Sequence, residues 1–271
     1  MSYPGFVSLV GAGPGDPELL TLKALRRLRE ADVVVYDALV RPEVLDYAHP
    51  AAEMIAAGKR GGKPSAAQDW INDLLIAKAR AGALVVRLKG GDPYIFGRGG
   101  EEAAALSAAG IAWEIVPGIS SAIAAPAYAG IPVTHRSVAS SVAFVTGHED
   151  PARPHTRIDW RALATGIDTV VFMMGIGRLP HIVEQLIAHG RPADTPTAVI
   201  HWGTTPEQVT LVAPLSAIAA EVERAGITPP ATFVVGQVVA LRDQLNWFEG
   251  LKVDLGVERT QPEPVPVVGG R

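Results

Sequence analysis

The chain has 271 residues, of which 48% are hydrophobic and 19% charged, so it is long enough for two domains and can bury a sizeable core. Its formal net charge of −4 argues against general nucleic-acid binding, because an acidic molecule repels a polyanion. The lack of cysteine excludes disulfides, thiolate nucleophiles and cysteine-ligated zinc or iron–sulfur centres.

The first half of the chain alternates between strand-like and helix-like segments. Phe6–Val10 is predicted as a buried strand and Pro17–Glu30 as a helix with Asp16 as its N-cap. The apolar face of this helix is formed by Leu19, Leu22, Leu25 and Leu28. Further strands are predicted at Asp32–Tyr36, Ala83–Leu88 and Trp113–Val116, and further helices around Trp70–Leu75 after a cap at Ser65, at Glu101–Ala109 and at Ser120–Tyr128. This alternation indicates an α/β fold with a largely parallel sheet.

The alternation restarts after His135, which predicts a second α/β domain. Its predicted strands are Val142–Thr146, Thr169–Met173, Thr197–His201, Gln208–Val212 and Thr232–Val239, and its helices are Trp160–Ala164, Leu179–His189 and Leu215–Ala225. Gln208–Val212 and Thr232–Val239 could each pair antiparallel within this sheet, so we expect it to be mixed. We therefore predict an N-terminal domain at 1–135, a C-terminal domain at 136–245 and a disordered, proline-rich tail at 246–271.

No segment resembles a secretory leader, and no apolar run approaches the roughly 18 residues that span a bilayer. These features predict a soluble, cytoplasmic protein that does not bind membranes.

A glycine-rich loop, Gly11–Asp16, follows the first strand and superficially resembles a dinucleotide-binding motif. Asp16 stands where that motif needs a small residue, and Pro14 lacks a backbone donor for a pyrophosphate. A carboxylate at this helix start would also repel phosphate. We therefore interpret the loop as a tight turn before a capped helix, even though Asp37 ends the next strand as the motif requires.

The segment Arg87–Glu102 is the strongest candidate for a functional site. Its glycines expose backbone directly after an apolar strand, where a parallel sheet presents its ligand site. Cations are concentrated near it, which would suit a small polyanion. They are Lys59, Arg60, Lys63, Arg87, Lys89 and Arg98.

Four motifs in a fixed order are similar to those of the tetrapyrrole methylases. They are Gly11–Asp16, Gly90–Glu102, Pro117–Ala122 and Ala129–Arg136, and the resemblance extends over about residues 5 to 245. It implies two α/β domains with mixed sheets, a cleft between them that binds S-adenosylmethionine (SAM), a homodimer and no metal.

By motif matching, the resemblance implies a set of SAM contacts on both domains. They are Pro14, Gly90, Gly91, Asp92, Ile95, Ser120, Ser121, Met174 and Gly203. Ser120-Ser121 replaces the Thr-Ala that family members often carry, and a hydroxyl is kept at the first position. For Asp92 a turn-forming role before Pro93 stays open. Met173 is the neighbour most easily confused with Met174, and buried methionines often only fill a core.

The acceptor implied by the resemblance is uroporphyrinogen III, methylated at C2 and then C7 to give precorrin-2 by way of precorrin-1, a precursor of cobalamin, sirohaem and haem d1. The carboxylates of this acceptor would be bound by cationic side chains. In the matched motifs these are Arg98 and Arg136, and His148 is a further candidate for substrate binding. Arg98 and Glu101 are the catalytic candidates. Because a guanidinium stays protonated, we expect Arg98 to orient substrate, with Glu101 or water accepting the proton.

Other members of the same superfamily remain alternatives, foremost a later corrin-ring C-methyltransferase. A protein-modifying methylase of diphthamide synthesis and an RNA 2′-O-methylase are further rivals, although the acidic balance disfavours RNA. An NAD(P) dehydrogenase or a non-catalytic ligand-binding protein represents a different class. No fused dehydrogenase and chelatase domain is expected in this chain.

Overall fold

The protein forms two five-stranded sheets with helices packed against both faces of each, in a computed structural model that describes residues 5–57, 68–147, 156–249 and 251. The first sheet contains β1 (Phe6–Gly11), β2 (Val33–Tyr36), β3 (Glu53–Ala56), β4 (Leu84–Lys89) and β5 (Ala112–Val116). Its strands are all parallel, in the order β3-β2-β4-β1-β5. This confirms the α/β interpretation and its parallel first sheet.

The second sheet is mixed, as predicted. It contains β6 (Val142–Thr146), β7 (Thr169–Met173), β8 (Pro196–His201), β9 (Val209–Pro214) and β10 (Ala231–Val235), in the order β6-β7-β10-β8-β9. Strands β6 and β7 are parallel, whereas β10 runs antiparallel to both β7 and β8, and β9 runs antiparallel to β8.

The α-helices of the described residues follow the predicted alternation. They are α1 (Leu22–Glu30), α2 (Pro42–Leu45), α3 (Gln68–Arg80), α4 (Gly99–Ala108), α5 (Ser121–Tyr128), α6 (Trp160–Thr165), α7 (Leu179–Ala188), α8 (Ile218–Arg224) and α9 (Arg242–Leu245). Short 3-10 turns occur at Pro17–Leu19, Ile176–Arg178 and Gln237–Leu241. The predicted cap Ser65 lies outside the described residues.

The two faces of the first sheet are covered by different helices, and this places the ligand site. Helices α1 and α2 pack on the face that carries Val34 and Val86, while α3 and α4 pack on the face that carries Val35 and Val85. The chain thus leaves the adjacent strands β1 and β4 toward opposite faces. Such a switch point opens a crevice at the carboxyl ends of the strands.

Helix α5 precedes residue 135 in sequence but packs against the second sheet. Ala122 and Ala125 are fully buried in one cluster with Val171 and Ile200, on the opposite face of the sheet from α6, α7 and α8. By its packing, α5 therefore belongs to the second sheet. The domain division at residue 135 stays a prediction.

One predicted helix is broken in the structure. The segment Pro17–Glu30 forms a 3-10 turn capped by Asp16, then two extended residues, and then α1. Thr21 caps α1 by accepting a hydrogen bond from the N–H of Ala24 at 3.2 Å, so its hydroxyl competes with helix continuation. The prediction of one continuous apolar face was wrong, because Leu22 is 85% exposed at the new helix start.

Strand β10 is shorter than predicted and β3 was missed. The last strand ends at Val235 because Gly236 has a φ of 149° and a Cβ there would lie 2.6 Å from the carbonyl oxygen of Asp168. Val238 and Val239 instead lie in a 3-10 turn. Strand β3 is a four-residue edge strand that is mostly exposed, so it lacks an apolar signal.

The start of the predicted tail is packed against the protein. Trp247 contacts the ring of Tyr128 with centroids 5.0 Å apart, and its Nε1 donates to the carbonyl of Ala127 at 2.9 Å. Trp247 is therefore packed in the structure, whereas the predicted disordered tail began at residue 246. Residues 252–271 lie outside the described part of the chain.

Glu114 on β5 connects the first sheet to α1. Its carboxylate accepts from the hydroxyl of Ser8 at 3.0 Å and pairs with Lys23 at 2.6 Å and with Arg27. Burial by itself raises the pKa of Glu114, but hydrogen bonds from Arg27, Lys23 and Ser8 outweigh it and lower the pKa to about 2. The ionised carboxylate is thus more stable in the folded state than in the unfolded chain.

Glu114→Gln is expected to lower the free energy of unfolding by about 1–2 kcal/mol at neutral pH, a figure reduced for solvent screening. Because the folded pKa is depressed, the wild-type advantage is full above the ordinary pKa of 4.5 and disappears as the pH falls toward 2. Urea unfolding at neutral and acid pH measures this difference. Glu30→Gln, which removes an exposed partner of Arg27, is the matched control and should change stability little; equal effects of the two variants would contradict the assignment.

Candidate active-site cleft

A cleft of about 760 Å³ lies between the carboxyl ends of the first sheet and the strands β7, β8 and β10 of the second. From the first sheet it is lined by the loops after β1, β2 and β4 and by Gln68 and Ile71 of α3. From the second it is lined by residues that follow β7 and β8 and by residues 229–232. Its size is that of a site for one or more organic ligands.

Three glycines bring the ends of β1, β4 and β5 into contact behind this cleft. A Cβ on Gly118 would lie 2.2 Å from the carbonyl oxygen of Gly91, and a Cβ on Gly11 would lie 2.5 Å from the Cα of Gly118. Gly91 also has a φ of 66° and exchanges two backbone hydrogen bonds with Gly13, at 2.7 and 3.2 Å. The backbones of these three loops can therefore approach each other this closely only because the residues at the contact are glycines.

Asp92 fixes two of these loops through its carboxylate. Its Oδ2 accepts from the N–H of Gly118 at 3.0 Å, and its Oδ1 accepts from the N–H of Tyr94 at 2.8 Å. The turn-forming role left open by the sequence is therefore present in the structure. Asp92 also lines the cleft, so this role and ligand contact are compatible.

Backbone strain in the described residues is concentrated at the cleft. Five residues other than glycine have a left-handed φ, namely Phe96, Arg98, Met174, Trp202 and Thr204. The first four line the cleft, and Thr204 lies between the lining residues Gly203 and Thr205. Because this conformation is unfavourable for L-residues, its persistence here indicates that packing holds these loops in fixed positions.

Every residue in the predicted SAM set lies on the wall of this one cleft. They are Pro14, Gly90, Gly91, Asp92, Ile95, Ser120, Ser121, Met174 and Gly203. Met173 lines the cleft beside Met174, which is the more exposed of the two. Ser120 caps α5, because its Oγ accepts from the N–H of Ala122 at 3.2 Å. Contact of these residues with SAM stays a prediction.

Arg98 and Glu101 form an exposed ion pair at the rim. Two guanidinium nitrogens donate to the two carboxylate oxygens at 2.9 and 2.6 Å, and Arg98 also lines the cleft. The bond from Arg98 lowers the pKa of Glu101, and the same bond raises the pKa of Arg98. Glu101 is therefore a weaker base than an unpaired carboxylate, and it is not among the described residues that line the cleft.

The other predicted substrate residues lie elsewhere. Arg136 is exposed and is not among the described lining residues. His148 lies outside the described residues, as do Lys59, Arg60 and Lys63. The structure thus brings Arg98 to the cleft but leaves the roles of Arg136 and His148 as predictions.

A buried cluster of four charges forms one end of the cleft, and the sequence did not assign it. Arg87, Lys89 and Glu102 are 2%, 3% and 0% exposed, and Asp37 joins them from the end of β2. Arg87, Lys89 and Asp37 line the cleft. One sequence feature could have indicated this cluster. Arg87 and Lys89 occupy alternate positions of the otherwise apolar strand β4, so both side chains lie on one face of a central strand of the sheet.

Polar contacts tie the two walls of the cleft together. The N–H of Asp16 donates to Thr204 Oγ1 at 3.1 Å, and Asp16 Oδ2 accepts from the hydroxyl of Tyr128 at 2.7 Å. Arg41, on the first-sheet side, pairs with Glu207 on the second at 3.4 Å. The glycine-rich loop that superficially resembled a dinucleotide motif is thus a contact between the two sheets.

In the ranges that the structure describes, no helix has the length and apolarity needed to cross a membrane. Those same ranges contain no group of three or more His, Asp or Glu side chains placed to hold a metal ion.

Comparison with known proteins relates this architecture to one family. The family model described as Tetrapyrrole (Corrin/Porphyrin) Methylases matches residues 7–219. The chain is 51% identical over 245 residues to the uroporphyrinogen-III C-methyltransferase of Bacillus subtilis, covering 90% of this chain and 95% of that protein. It is 52% identical over 242 residues to the S-adenosyl-L-methionine-dependent uroporphyrinogen III methyltransferase of Methanosarcina barkeri, covering 89% and 95%.

Among solved structures, the uroporphyrin-III C-methyltransferase of Thermus thermophilus complexed with S-adenosylhomocysteine (SAH) matches with a TM-score of 0.74. It is 42% identical and the match covers 87% of this chain and 93% of that one. The match therefore spans both sheets and the cleft between them.

Proposed function

The chain belongs to the tetrapyrrole (corrin/porphyrin) methylases, and from this membership we propose that it transfers methyl groups from SAM to uroporphyrinogen III. Methylation at C2 and then C7 gives precorrin-2 by way of precorrin-1. The observation that carries the proposal is the cleft, which gathers the whole motif-matched donor set beside a cluster of cations. The relatives' names and the SAH complex of the Thermus thermophilus structure support it.

The wall around Gly91 fits a donor such as SAM. Backbone is exposed there without side chains, since a Cβ at Gly90 would touch only the side chain of Leu39 at 3.5 Å, and one at Gly91 would meet nothing closer than 3.8 Å. Pro14 and Gly203 face it from the two sheets. When bound, SAM supplies an electrophilic methyl group, and the protein's task is to align it with the acceptor carbon.

The charged end of the cleft fits a carboxylate-rich acceptor. Arg98 and Arg41 line the same cleft as Lys89, and a guanidinium can bind a carboxylate through two parallel hydrogen bonds. The apolar rim formed by Leu39, Ile95 and Phe96 is suited to the flat faces of pyrrole rings. The cleft would thus hold donor and acceptor side by side.

Each methylation also releases a proton from the macrocycle. We predicted Glu101 or water as its acceptor, but Glu101 is engaged by Arg98 at the rim. The carboxylates that line the cleft in the described residues are those of Asp37 and Asp92, and Asp92 is committed to two backbone N–H groups. Asp37 also pairs with Arg87, through Oδ1, but its Oδ2 lies 3.9 Å from the Lys89 ammonium, beyond hydrogen-bond distance, and its side chain is partly exposed. We therefore add Asp37, through Oδ2, as a candidate for the proton acceptor.

Arg98 is proposed to orient the acceptor and to stabilise developing charge. Arg98→Lys is expected to lower kcat/KM for uroporphyrinogen III by about tenfold, because lysine keeps the charge but loses the two-pronged geometry. SAH affinity, measured by calorimetry, should change little. Full retention of activity in this variant would contradict the role.

Mass spectrometry of the ligand that co-purifies with the protein separates the main classes of function. SAM or SAH supports a methylase, whereas a nicotinamide nucleotide would contradict it. Parallel anaerobic assays with uroporphyrinogen III and with a methylated precorrin then distinguish the first methylase from a later corrin-ring enzyme. Preference for the precorrin would overturn the proposed acceptor.

We further propose a homodimer that acts in the cytoplasm, on the basis of the family resemblance alone. Light scattering coupled to size-exclusion chromatography tests the first part, and a monomer at micromolar concentration would contradict it.

A further inference from the structure

The buried cations on β4 differ in how their donors are used. Arg87 donates through Nε to Glu102 at 3.1 Å and through Nη1 to the carbonyl oxygens of Val35 and Leu88 at 3.3 and 3.4 Å. Its Nη2 pairs with Asp37. These four bonds use nearly all of the five N–H groups of a guanidinium, so Arg87 is committed to contacts within the protein.

Among residues 5–57, 68–147, 156–249 and 251, the partners of Lys89 do not saturate it in this way. Its ammonium donates to Glu102 Oε1 at 2.9 Å and stands 3.9 Å from Asp37 Oδ2, which is beyond hydrogen-bond distance. An ammonium has three donors, and Lys89 lines the cleft while being only 3% exposed. A buried charge with unused donors is unfavourable unless a ligand supplies acceptors.

The position of Lys89 points to the acceptor rather than to the donor. In the order β3-β2-β4-β1-β5, the cluster faces the ends of β2 and β3, where Asp37, Ala57 and Gln68 line the cleft. The predicted SAM contacts after β1 and β5, such as Pro14 and Ser120, lie on the other side of β4, whereas Gly90 and Gly91 follow Lys89 directly along the chain. Lys89 therefore lies where the donor wall meets the charged cluster, and the β2 and β3 side that the cluster faces favours the acceptor.

We propose that Lys89 binds a carboxylate of the tetrapyrrole acceptor inside the cleft, and that Glu102 is the positioning residue that holds the Lys89 ammonium there. This inference rests on the proposed function, since it assigns a subsite of the same reaction. The carboxylate of SAM is the other possible source of such a group, and the experiment separates the two.

Glu102 is suited to its role because it is fully buried and its Oε1 accepts from Lys89, Arg87 and Gln68 together. Burial, followed by the charge of Arg87, lowers the pKa of Lys89, and the charges of Glu102 and Asp37 oppose this. In the described part of the chain, Glu101 on α4 is a further charged group that interacts with Lys89. The Glu102 carboxylate thereby favours the charged form of Lys89.

Lys89→Met in the full chain tests the subsite, with Lys78→Met as the matched control because Lys78 pairs with Glu53 on the surface, away from the cleft. Two dissociation constants are measured by fluorescence and calorimetry. The first is that of uroporphyrinogen III for the SAH-bound protein under anaerobic conditions, and the second is that of SAH alone. We expect acceptor binding to weaken about 10- to 100-fold in Lys89→Met. SAH binding and the control should stay near wild type.

Unchanged acceptor binding, or a loss confined to SAH, overturns the subsite while leaving the proposed function intact. A wild-type protein that neither binds nor methylates uroporphyrinogen III overturns the proposed function, and this inference with it.

Glu102→Gln keeps the volume of the side chain and serves as the second variant if Lys89→Met does not fold. Without the Glu102 charge the pKa of Lys89 falls further, so acceptor binding should weaken at a lower pH than in wild type. Adding Lys89→Arg should abolish the shift, because a guanidinium does not titrate. An identical pH profile for Glu102→Gln and wild type overturns the positioning role.

Discussion

Gly118→Ala is expected to lower the free energy of unfolding by about 3 kcal/mol and to weaken SAH binding severely. The new methyl would lie 2.2 Å from the carbonyl oxygen of Gly91 and 2.7 Å from the Cα of Gly11, so the ends of three strands would have to separate. Backbone atoms cannot rotate away as a flexible side chain can. Separation of these strands would also displace the loop that carries the predicted donor contacts. Chemical denaturation and calorimetry with SAH measure the two effects.

Gly100→Ala, in the glycine-rich motif Gly90–Glu102, is the matched control. A Cβ at Gly100 would meet no atom within 4 Å, and the residue lies in the first turn of α4. This substitution is expected to change stability by less than about 1 kcal/mol, in the stabilising direction, because alanine restricts the unfolded chain. Equal stabilities of the two variants would contradict the account of the strand junction.

Asp37→Asn is expected to lower kcat by about 10²- to 10⁴-fold, the range typical for loss of a general base. The amide keeps the shape of the carboxylate but cannot accept the proton that the macrocycle releases. Asp37 lines the cleft at its charged end and is partly exposed, so a ligand can reach it. Single-turnover rates at saturating acceptor and SAM isolate this step from binding.

Asp37→Asn also removes an ion-pair partner of Arg87, and the resulting damage to the cleft could lower kcat by itself. A thermal unfolding curve and the SAH dissociation constant, both close to wild type, would show that the rate effect does not come from a damaged cleft. Asp46→Asn, an exposed carboxylate that does not line the cleft, is the control. A kcat for Asp37→Asn within about threefold of wild type would remove Asp37 as the proton acceptor.

The core strands were predictable because each is a short apolar run bounded by glycine or charge, as in Phe6–Gly11 and Thr169–Met173. The errors arose where a local polar group or a close contact overrode that pattern. Thr21 caps α1 and breaks the predicted long helix, and Gly236 ends β10 against Asp168. Neither effect is visible in hydrophobic periodicity.

The donor side of the site was found because its residues lie in contiguous motifs around glycines such as Gly90 and Gly91. The buried charge cluster was not assigned, because its members come from three separate elements and their pairing depends on the order of strands in the sheet. Arg87 and Lys89 were noted only as nearby cations. Glu102 was read as part of a motif, although it is fully buried and Glu101 beside it is exposed.

The most direct test of the central claim is the number of methyl groups transferred to uroporphyrinogen III from isotope-labelled SAM under anaerobic conditions, read by mass spectrometry of the oxidised product. We predict two labelled methyl groups on each tetrapyrrole, with a singly methylated species appearing first, and SAH formed in equal number. No incorporation of label by a folded protein that binds SAH would contradict the proposed function.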